Sequence, residues 1–210
     1  MEKDSFLDSN VIINYVNYQK DKNREIINKC YLYISKKQSR FIICYAVIKE
    51  LFNIITKLTI IHREVLKKIE NRDYHLNKSK YLSIKDLPIA EKLYLAHKEV
   101  SEKKLKELLA SERDIFEIEI EKFLKNKIDI KVIPIEEIET ELVNIIRDTI
   151  ENYADCQILA SALQYQKDNE AFLFVTADKH FDPNGYSYLQ EEPRLVKMQF
   201  PELKNLLFEK

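Results

Sequence analysis

Four acidic residues stand where a metal-dependent hydrolase would need them. Asp8 and Asp178 each end a short apolar run, Glu50 follows another such run, and Asp155 opens a helix-like stretch. An acid at the end of a buried strand is held at the sheet edge where open α/β sheets bind their ligands. Four carboxylates converging there would repel one another unless a hard cation neutralised them. The residues therefore indicate metal-assisted chemistry, with Mg²⁺ or Mn²⁺ as the cofactor.

Carboxylate oxygens are hard ligands, which Mg²⁺ and Mn²⁺ prefer. Such an ion turns water into a nucleophile near neutral pH and stabilises the negative charge that develops on a phosphate. We predict that Asp8, Asp155 and Asp178 hold the metal directly or through water. Glu50 is expected to ligate it too, or to orient the attacking water as general base.

Each acid also has an ordinary structural alternative. Asp8 and Asp155 both precede or begin a predicted helix, where an aspartate commonly caps the first turn. Glu50 could lie on a solvated helix face, and Asp178 could simply begin a turn. The metal interpretation is preferred because all four acids occur together in an ordered set.

Three polar residues near these acids are secondary candidates. Asn10 and Thr176 flank Asp8 and Asp178 and could support the ligands, with a cap or turn hydrogen bond as the alternative. Asp182 precedes Pro183, so a turn residue is the stronger interpretation there. His180 is expected to be a surface or packing residue rather than a catalyst.

Composition excludes several other classes of site. The chain has 210 residues, enough for a substantial core, and Gly185 is its only glycine. Glycine-rich phosphate loops and dinucleotide fingerprints are therefore excluded. The three cysteines are far apart and form no C-x-x-C pair, which argues against a disulfide framework or a zinc site. No apolar segment of 18 residues and no signal peptide is evident, so a cytoplasmic protein without a membrane partner is expected.

Charge is unevenly distributed although the formal net charge is only −1. Residues 57–85 contain eight Lys/Arg against three Asp/Glu, whereas residues 112–151 contain six against twelve. A locally basic stretch is compatible with binding a polyanion, and a solvated helix surface is the alternative. The candidates for contacts with RNA phosphates are Arg63, Lys67, Lys68, Arg72 and Lys179.

Strands and helices that alternate along the chain would position the acids. Strands are expected at 5–8, 41–44, 128–135, 171–176 and 194–198, and helices at 10–18, 24–36, 46–60, 136–150, 155–166 and from 201 to about 208. This order predicts an α/β fold, a three-layer α/β/α sandwich with a mostly parallel central sheet. The segment 57–126 has a helical period and is interpreted as a helical insertion within a single domain spanning residues 1–210.

The segments around the acids resemble, in order, the four motifs of the PIN domain family of metal-dependent nucleases. They are Phe6-Leu7-Asp8-Ser9-Asn10-Val11-Ile12-Ile13, Ala46-Val47-Ile48-Lys49-Glu50-Leu51, Ala154-Asp155-Cys156-Gln157-Ile158-Leu159-Ala160-Ser161-Ala162 and Phe174-Val175-Thr176-Ala177-Asp178-Lys179-His180-Phe181. The resemblance covers roughly residues 4–56 and 128–200 and leaves the central helices unmatched.

The resemblance implies an acidic pocket that binds Mg²⁺ or Mn²⁺ and an endoribonuclease that hydrolyses RNA phosphodiester bonds. Many members of the family are toxins of toxin–antitoxin pairs, which implies an antitoxin partner, and a homodimer is a family-level expectation. The central helices make this chain longer than a compact toxin, so the toxin role follows less directly than the nuclease role.

Two other functions remain open from the residues alone. An aspartate-nucleophile phosphatase also puts an Asp after its first strand, but that chemistry usually requires a second Asp two residues later, where this chain has Asn10. A PIN-like module that binds RNA or a protein without cutting is the non-enzymatic alternative.

Overall fold

The computed structural model describes residues 3–36, 40–126, 132–134 and 138–209. The chain divides into two compact units, one formed by residues 1–51 and 120–210 and the other by residues 52–119. The prediction that residues 57–126 form an insertion within a single domain stays a prediction.

The elements alternate along the first unit as the sequence patterns predict. The strands are β1 (Ser5–Leu7), β2 (Phe41–Cys44), β3 (Val132–Ile133), β4 (Leu173–Thr176) and β5 (Glu202–Asn205). The α-helices are α1 (Ser9–Val16), α2 (Glu25–Lys36), α3 (Tyr45–Glu70), α4 (Leu87–His97), α5 (Glu102–Asn126), α6 (Thr140–Arg147), α7 (Tyr153–Asp168) and α8 (Pro183–Glu191). Short 3₁₀ helices span Asn17–Gln19, Leu76–Lys78 and Lys179–Phe181.

The strands form a parallel sheet in the order β3-β2-β1-β4-β5. The connections from β1 to β2 and from β3 to β4 run in opposite directions along this sheet. Because such crossovers are right-handed, their helices cover opposite faces of the sheet. The expected α/β class and three-layer α/β/α arrangement are confirmed.

The order of the strands creates a crevice between β1 and β4. The chain leaves β1 toward one edge of the sheet and later crosses over to β4, on the other side of β1. Ligands of open α/β sheets bind at such a reversal, outside the carboxyl ends of the strands. Asp8 directly follows β1 and Asp178 lies two residues beyond β4, so both acids stand at this point.

Aromatic packing fixes the two central strands. The Phe6 ring on β1 stacks on Phe172 with centroids 5.8 Å apart, and Phe174 on β4 meets the edge of Phe181 at 5.1 Å. All four side chains are at most 1% exposed. Truncating a buried phenylalanine typically costs about 3–5 kcal/mol, so this cluster holds the strand ends, and the acids beyond them, in place.

The expectations for the C-terminal segment were wrong. Residues 194–198 form turns instead of a strand, and residues 201–208 form β5 and a turn instead of a helix. The open edge of β4 explains the difference, because β5 pairs along it and the Leu206 N–H then donates to the Thr176 carbonyl at 2.9 Å. Pairing with a distant strand overrides the local signal of Pro201, which precedes the strand rather than opening a helix.

Three further predicted elements differ in extent from those that the structure describes. The strand expected at 128–135 appears as Val132–Ile133, and the rest of that range, apart from Pro134, lies outside the described residues. The helix expected at 136–150 begins at Thr140 and ends at Arg147, with residues 136 and 137 outside the described part. The helix expected at 46–60 continues to Glu70 because its apolar face extends into the second unit.

The second unit has its own core and a buried ionic cluster. The core residues are Ile61, Val65, Leu76, Ala90, Leu105 and Leu109. The fully buried Glu64 carboxylate accepts hydrogen bonds from Lys67, Tyr74 and Ser79. Burial opposes its ionisation, but these hydrogen bonds outweigh burial and lower the pKa of Glu64 to about 2. Among the helices that the structure describes, none is both long and apolar enough to cross a membrane.

Candidate metal centre

Asp8 faces the crevice rather than capping the helix that it precedes. Its side chain is fully buried at the N-cap position of α1 but makes no capping hydrogen bond. The carboxylate instead accepts a hydrogen bond from the Thr176 hydroxyl at 2.7 Å, and Ser9 Oγ lies 3.4 Å from its other oxygen. The cap alternative is therefore not the role of this carboxylate.

Glu50 is held beside Asp8 by the hydroxyl between them. It lies on α3, half-buried, and its Oε2 accepts a hydrogen bond from Ser9 Oγ at 2.6 Å. Because Ser9 also contacts Asp8, one hydroxyl links the acid after β1 to the acid on the helix after β2. Glu50 is thus positioned by a specific contact rather than lying on a solvated helix face.

Asp155 is available to the site because another residue caps its helix. The N-cap of α7 is Asn152, whose side-chain oxygen accepts from the Ala154 N–H at 3.1 Å. Asp155 follows in the first turn, is 1% exposed, and places Oδ2 2.9 Å from Nδ1 of His180. The positive end of the α7 dipole favours an anionic side chain at this position.

Asp178 combines a turn role with a place in the site. Its Oδ1 accepts the His180 N–H at 2.9 Å and thereby caps the 3₁₀ helix, while Oδ2 accepts from Asn10 Nδ2 at 2.7 Å. Asn205 Nδ2 donates to the Asp178 carbonyl at 2.7 Å and anchors the loop after β4. The carboxylate is therefore fixed by groups from three parts of the first unit.

Two of the three secondary candidates join the acids and one does not. The Thr176 hydroxyl donates to Asp8 and accepts from the Asp178 N–H at 3.0 Å, so it couples two of the acids directly. Asn10 donates to Asp178. Asp182 caps α8, accepting N–H groups of the next turn at 2.9 and 3.1 Å, and has no recorded contact with the four acids among the described residues.

Sequence reasoning missed two residues of the site, Ser9 and His180. Nδ1 of His180 lies 2.9 Å from Asp155 Oδ2 and 3.1 Å from Asp178 Oδ1, although 44% of its side chain is exposed. A signal existed, because an Asp that caps a turn brings the residue two positions later back toward its own carboxylate. For Ser9, the only signal in the sequence was its position next to Asp8.

Burial and nearby negative charge raise the pKa values of Asp8, Glu50 and Asp155. Burial, followed by repulsion from Asp155, Glu50 and Asp178, raises the pKa of Asp8 to about 7 despite the hydrogen bond from the Thr176 hydroxyl. Burial and then Asp178 raise the pKa of Asp155 to about 6, and the same two causes raise the pKa of Glu50. Within the described residues, no lysine or arginine forms an ion pair with any of the four. The cluster thus concentrates negative charge that the protein itself does not neutralise.

The donor set fits a divalent cation. Carboxylate oxygens dominate it, and Asp155, Asp178 and His180 offer ligand atoms that all lie within 4.8 Å of one another. Such groups bind Mg²⁺ or Mn²⁺, and the excess negative charge supplies the driving force.

The basic residues expected to contact RNA lie in both units. Arg63, Lys67, Lys68 and Arg72 belong to the second unit, and Lys179 is exposed on the 3₁₀ helix beside Asp178 in the first. Arg63 and Lys67 also hold the buried Glu64, so these two carry a structural role as well.

No protein-family model matches this chain, and neither a curated protein nor a solved structure matches it. The geometry of the site is therefore the basis on which a function can be assigned.

Proposed function

We propose that the protein is a metal-dependent nuclease that hydrolyses RNA phosphodiester bonds, the activity that its resemblance to the PIN domain family implies. One observation carries the proposal. Four acids from four separate segments of the chain lie together at the strand-order reversal, the pKa values of Asp8, Glu50 and Asp155 are raised, and no lysine or arginine of the described residues pairs with the four. Such an arrangement is costly to the fold, and a bound cation offsets that cost.

Three acids of the site are assigned to metal binding and the fourth to proton transfer. Asp155, Asp178 and Asp8 would hold Mg²⁺ or Mn²⁺, which supplies charge neutralisation, an activated water and stabilisation of the developing phosphate charge. Glu50 is suited to act as general base, because burial raises its pKa and makes its carboxylate a stronger base than an exposed one. The hydrogen bond from Ser9 orients the Glu50 carboxylate for that step.

The position of Asn10 favours this chemistry over the phosphatase alternative. An aspartate-nucleophile phosphatase needs a proton-transferring group two residues after its nucleophile. Asn10 instead donates its amide N–H to Asp178, and an amide does not exchange a proton in catalysis. The Asn10 side chain thus supports a ligand rather than serving as acid and base.

The second unit offers a surface suited to single-stranded RNA. The Tyr81 ring is 60% exposed, with the Arg63 guanidinium 4.4 Å and Lys67 Nζ 5.4 Å from its centroid. An exposed aromatic ring flanked by cations stacks bases while the cations meet the phosphates. Lys68 and Arg72 of the same unit would add phosphate contacts, and Lys179 is a separate candidate in the first unit.

The toxin role, an antitoxin partner and a homodimer belong to the proposal only through the family resemblance. They have consequences that can be measured separately from cleavage. A toxin is expected to arrest growth when expressed alone and to be rescued by its partner, whereas a processing enzyme is not.

The decisive experiment measures RNA cleavage by the purified protein. Single-stranded RNAs are incubated with Mn²⁺, with Mg²⁺ or with EDTA, using the wild type, Asp8→Asn and Asp155→Asn. The exposed Asp148, paired with Arg194, provides a matched control as Asp148→Asn. We expect cleavage that requires the metal, is lost in both site variants and is kept in the control.

Cutting that persists in EDTA, or equal activity in the site variants, would refute the nuclease assignment. Metal-dependent RNA binding without cleavage would support the non-cleaving alternative instead.

A further inference from the structure

We infer that His180 is itself a metal ligand, together with Asp155 and Asp178, and that its imidazole makes the site prefer Mn²⁺ to Mg²⁺. The inference rests on the proposed metal-dependent function. It adds a ligand that the acidic motifs do not contain and assigns the ion that the site selects.

The distances around His180 match those between neighbouring ligands of one ion. Nδ1 lies 2.9 Å from Asp155 Oδ2 and 3.1 Å from Asp178 Oδ1. Two ligands at right angles on an ion, each bonded at about 2.1 Å, are about 3.0 Å apart. Two of the three separations therefore match those of neighbouring ligands, and the ligand atoms of all three residues lie within 4.8 Å of one another.

A single hydrogen bond accounts for only one of the two close contacts of Nδ1. Nδ1 carries at most one proton and cannot donate it fully to two carboxylates at once. Without that proton, the Nδ1 lone pair faces two anionic groups, which is unfavourable. A cation among the three atoms removes the conflict, because each supplies one lone pair to it while Nε2, on the half-exposed ring, keeps its proton toward solvent.

The backbone around His180 is held firmly enough to preorganise the ring. Its N–H donates to the Asp178 carboxylate, and the next residue, Phe181, is fully buried against Phe174. Asn205 Nδ2 also donates to the Phe181 carbonyl at 2.7 Å. The imidazole thus projects from a short, anchored turn.

An imidazole in the first coordination shell changes which ion is preferred. Mg²⁺ favours oxygen ligands and keeps its waters, whereas Mn²⁺ and the later first-row metals accept a nitrogen more readily. Replacing His180 should therefore penalise Mn²⁺ more than Mg²⁺. A residue that merely orients the carboxylates would affect both ions alike.

Calorimetric titration of tag-free protein with Mn²⁺ and with Mg²⁺ tests this difference. The variants are His180→Ala and, as a control for unrelated imidazole binding, His75→Ala at an exposed position in the second unit. We expect His180→Ala to weaken Mn²⁺ binding by at least about tenfold, to alter Mg²⁺ binding much less, and to leave the circular dichroism spectrum unchanged. An equal loss for both ions, or no loss for either, would overturn the inference.

Pulsed electron paramagnetic resonance on the Mn²⁺ complex provides a direct signature. Nitrogen modulation from a coordinated imidazole is expected in the wild type and in His75→Ala, and is expected to vanish in His180→Ala. A wild-type complex that binds Mn²⁺ without this modulation would contradict the assignment of His180 as a ligand.

The two proposals can fail separately. RNA cleavage that depends on Asp8 and Asp155, combined with unchanged Mn²⁺ and Mg²⁺ affinities in His180→Ala, would remove the histidine ligand and leave the nuclease. Mn²⁺ coordination through His180 without any RNA cleavage would leave the ligand and remove the nuclease.

Discussion

Replacing Asp8 by Asn is expected to stabilise the metal-free protein although it abolishes activity. Asp8 is fully buried, and its pKa is raised to about 7 chiefly by that burial. A group with a raised folded-state pKa contributes stability that is fully present below the unfolded pKa and is lost as the pH rises through the folded pKa. Between about pH 4 and pH 7, the metal-free wild type should therefore become progressively less stable.

The expected change in the free energy of unfolding follows from the shift in the pKa of Asp8. Because the pKa of Asp8 rises from the ordinary value of 3.8 to about 7, the ionised carboxylate costs the fold up to about 4 kcal/mol at pH 8 and about 2 kcal/mol at pH 5. Asn carries no charge and keeps the shape, but it makes a weaker hydrogen bond with Thr176, which offsets about 1–2 kcal/mol. We expect a net gain of about 2 kcal/mol at pH 8, or roughly 4–8 °C in Tm.

Thermal unfolding followed by circular dichroism in EDTA measures this gain. Asp8→Asn should melt above the wild type at pH 8, and the difference should shrink at pH 5. Adding Mn²⁺ should raise the Tm of the wild type and leave that of the variant nearly unchanged. The exposed Asp148→Asn provides the control, with a change within about 0.5 kcal/mol. A variant that is less stable than the wild type at pH 8 would refute the reasoning.

Three further substitutions test other parts of the structure. Glu50→Gln should lower kcat by about 10²–10⁴-fold with little change in Mn²⁺ affinity, as expected for a general base, and a loss of metal binding instead would make Glu50 a ligand. Tyr81→Ala should weaken single-stranded RNA binding by about 1–3 kcal/mol in a fluorescence titration, whereas Tyr81→Phe should retain it, and equal binding by both variants would exclude the stacking surface. Glu64→Gln should destabilise the second unit by about 1–3 kcal/mol in urea unfolding, because an uncharged amide replaces the buried carboxylate that accepts from Lys67, Tyr74 and Ser79, and an unchanged midpoint would show that the cluster is not structural.

The sequence was sufficient for the central strands and the acids that follow them. β2 is an uninterrupted apolar run of four residues and β1 ends in the apolar pair Phe6-Leu7, so Asp8 and Glu50 could be placed from the pattern. The strand β5 could not be predicted from the pattern, because Glu202–Asn205 has little apolar character. This segment becomes a strand only by pairing with the free edge of β4. Its formation is a tertiary effect that no local pattern encodes.

The sequence predicts the acids of the site but not all of their contacts. Whether Asp155 caps α7 could not be decided, because Asn152 stands three residues earlier and is an equally good cap. The contacts of His180 depend on where α7 and the turn after β4 meet, which lies beyond any pattern within one segment. The spacing of residues along the chain identifies the acids, but only the fold shows which side chains contact them.

The hydrogen bond between Asp8 and Thr176 joins residues that are 168 positions apart. During synthesis at about 5–20 residues per second, roughly 10–30 s separate the appearance of the two partners at the ribosome. β1 is therefore synthesised about that long before β4, with which it pairs at the centre of the sheet. A nascent or prematurely terminated chain consequently lacks Asp178 and carries an incomplete set of acids, so under the proposed function hydrolysis would begin only after nearly the whole chain has been translated.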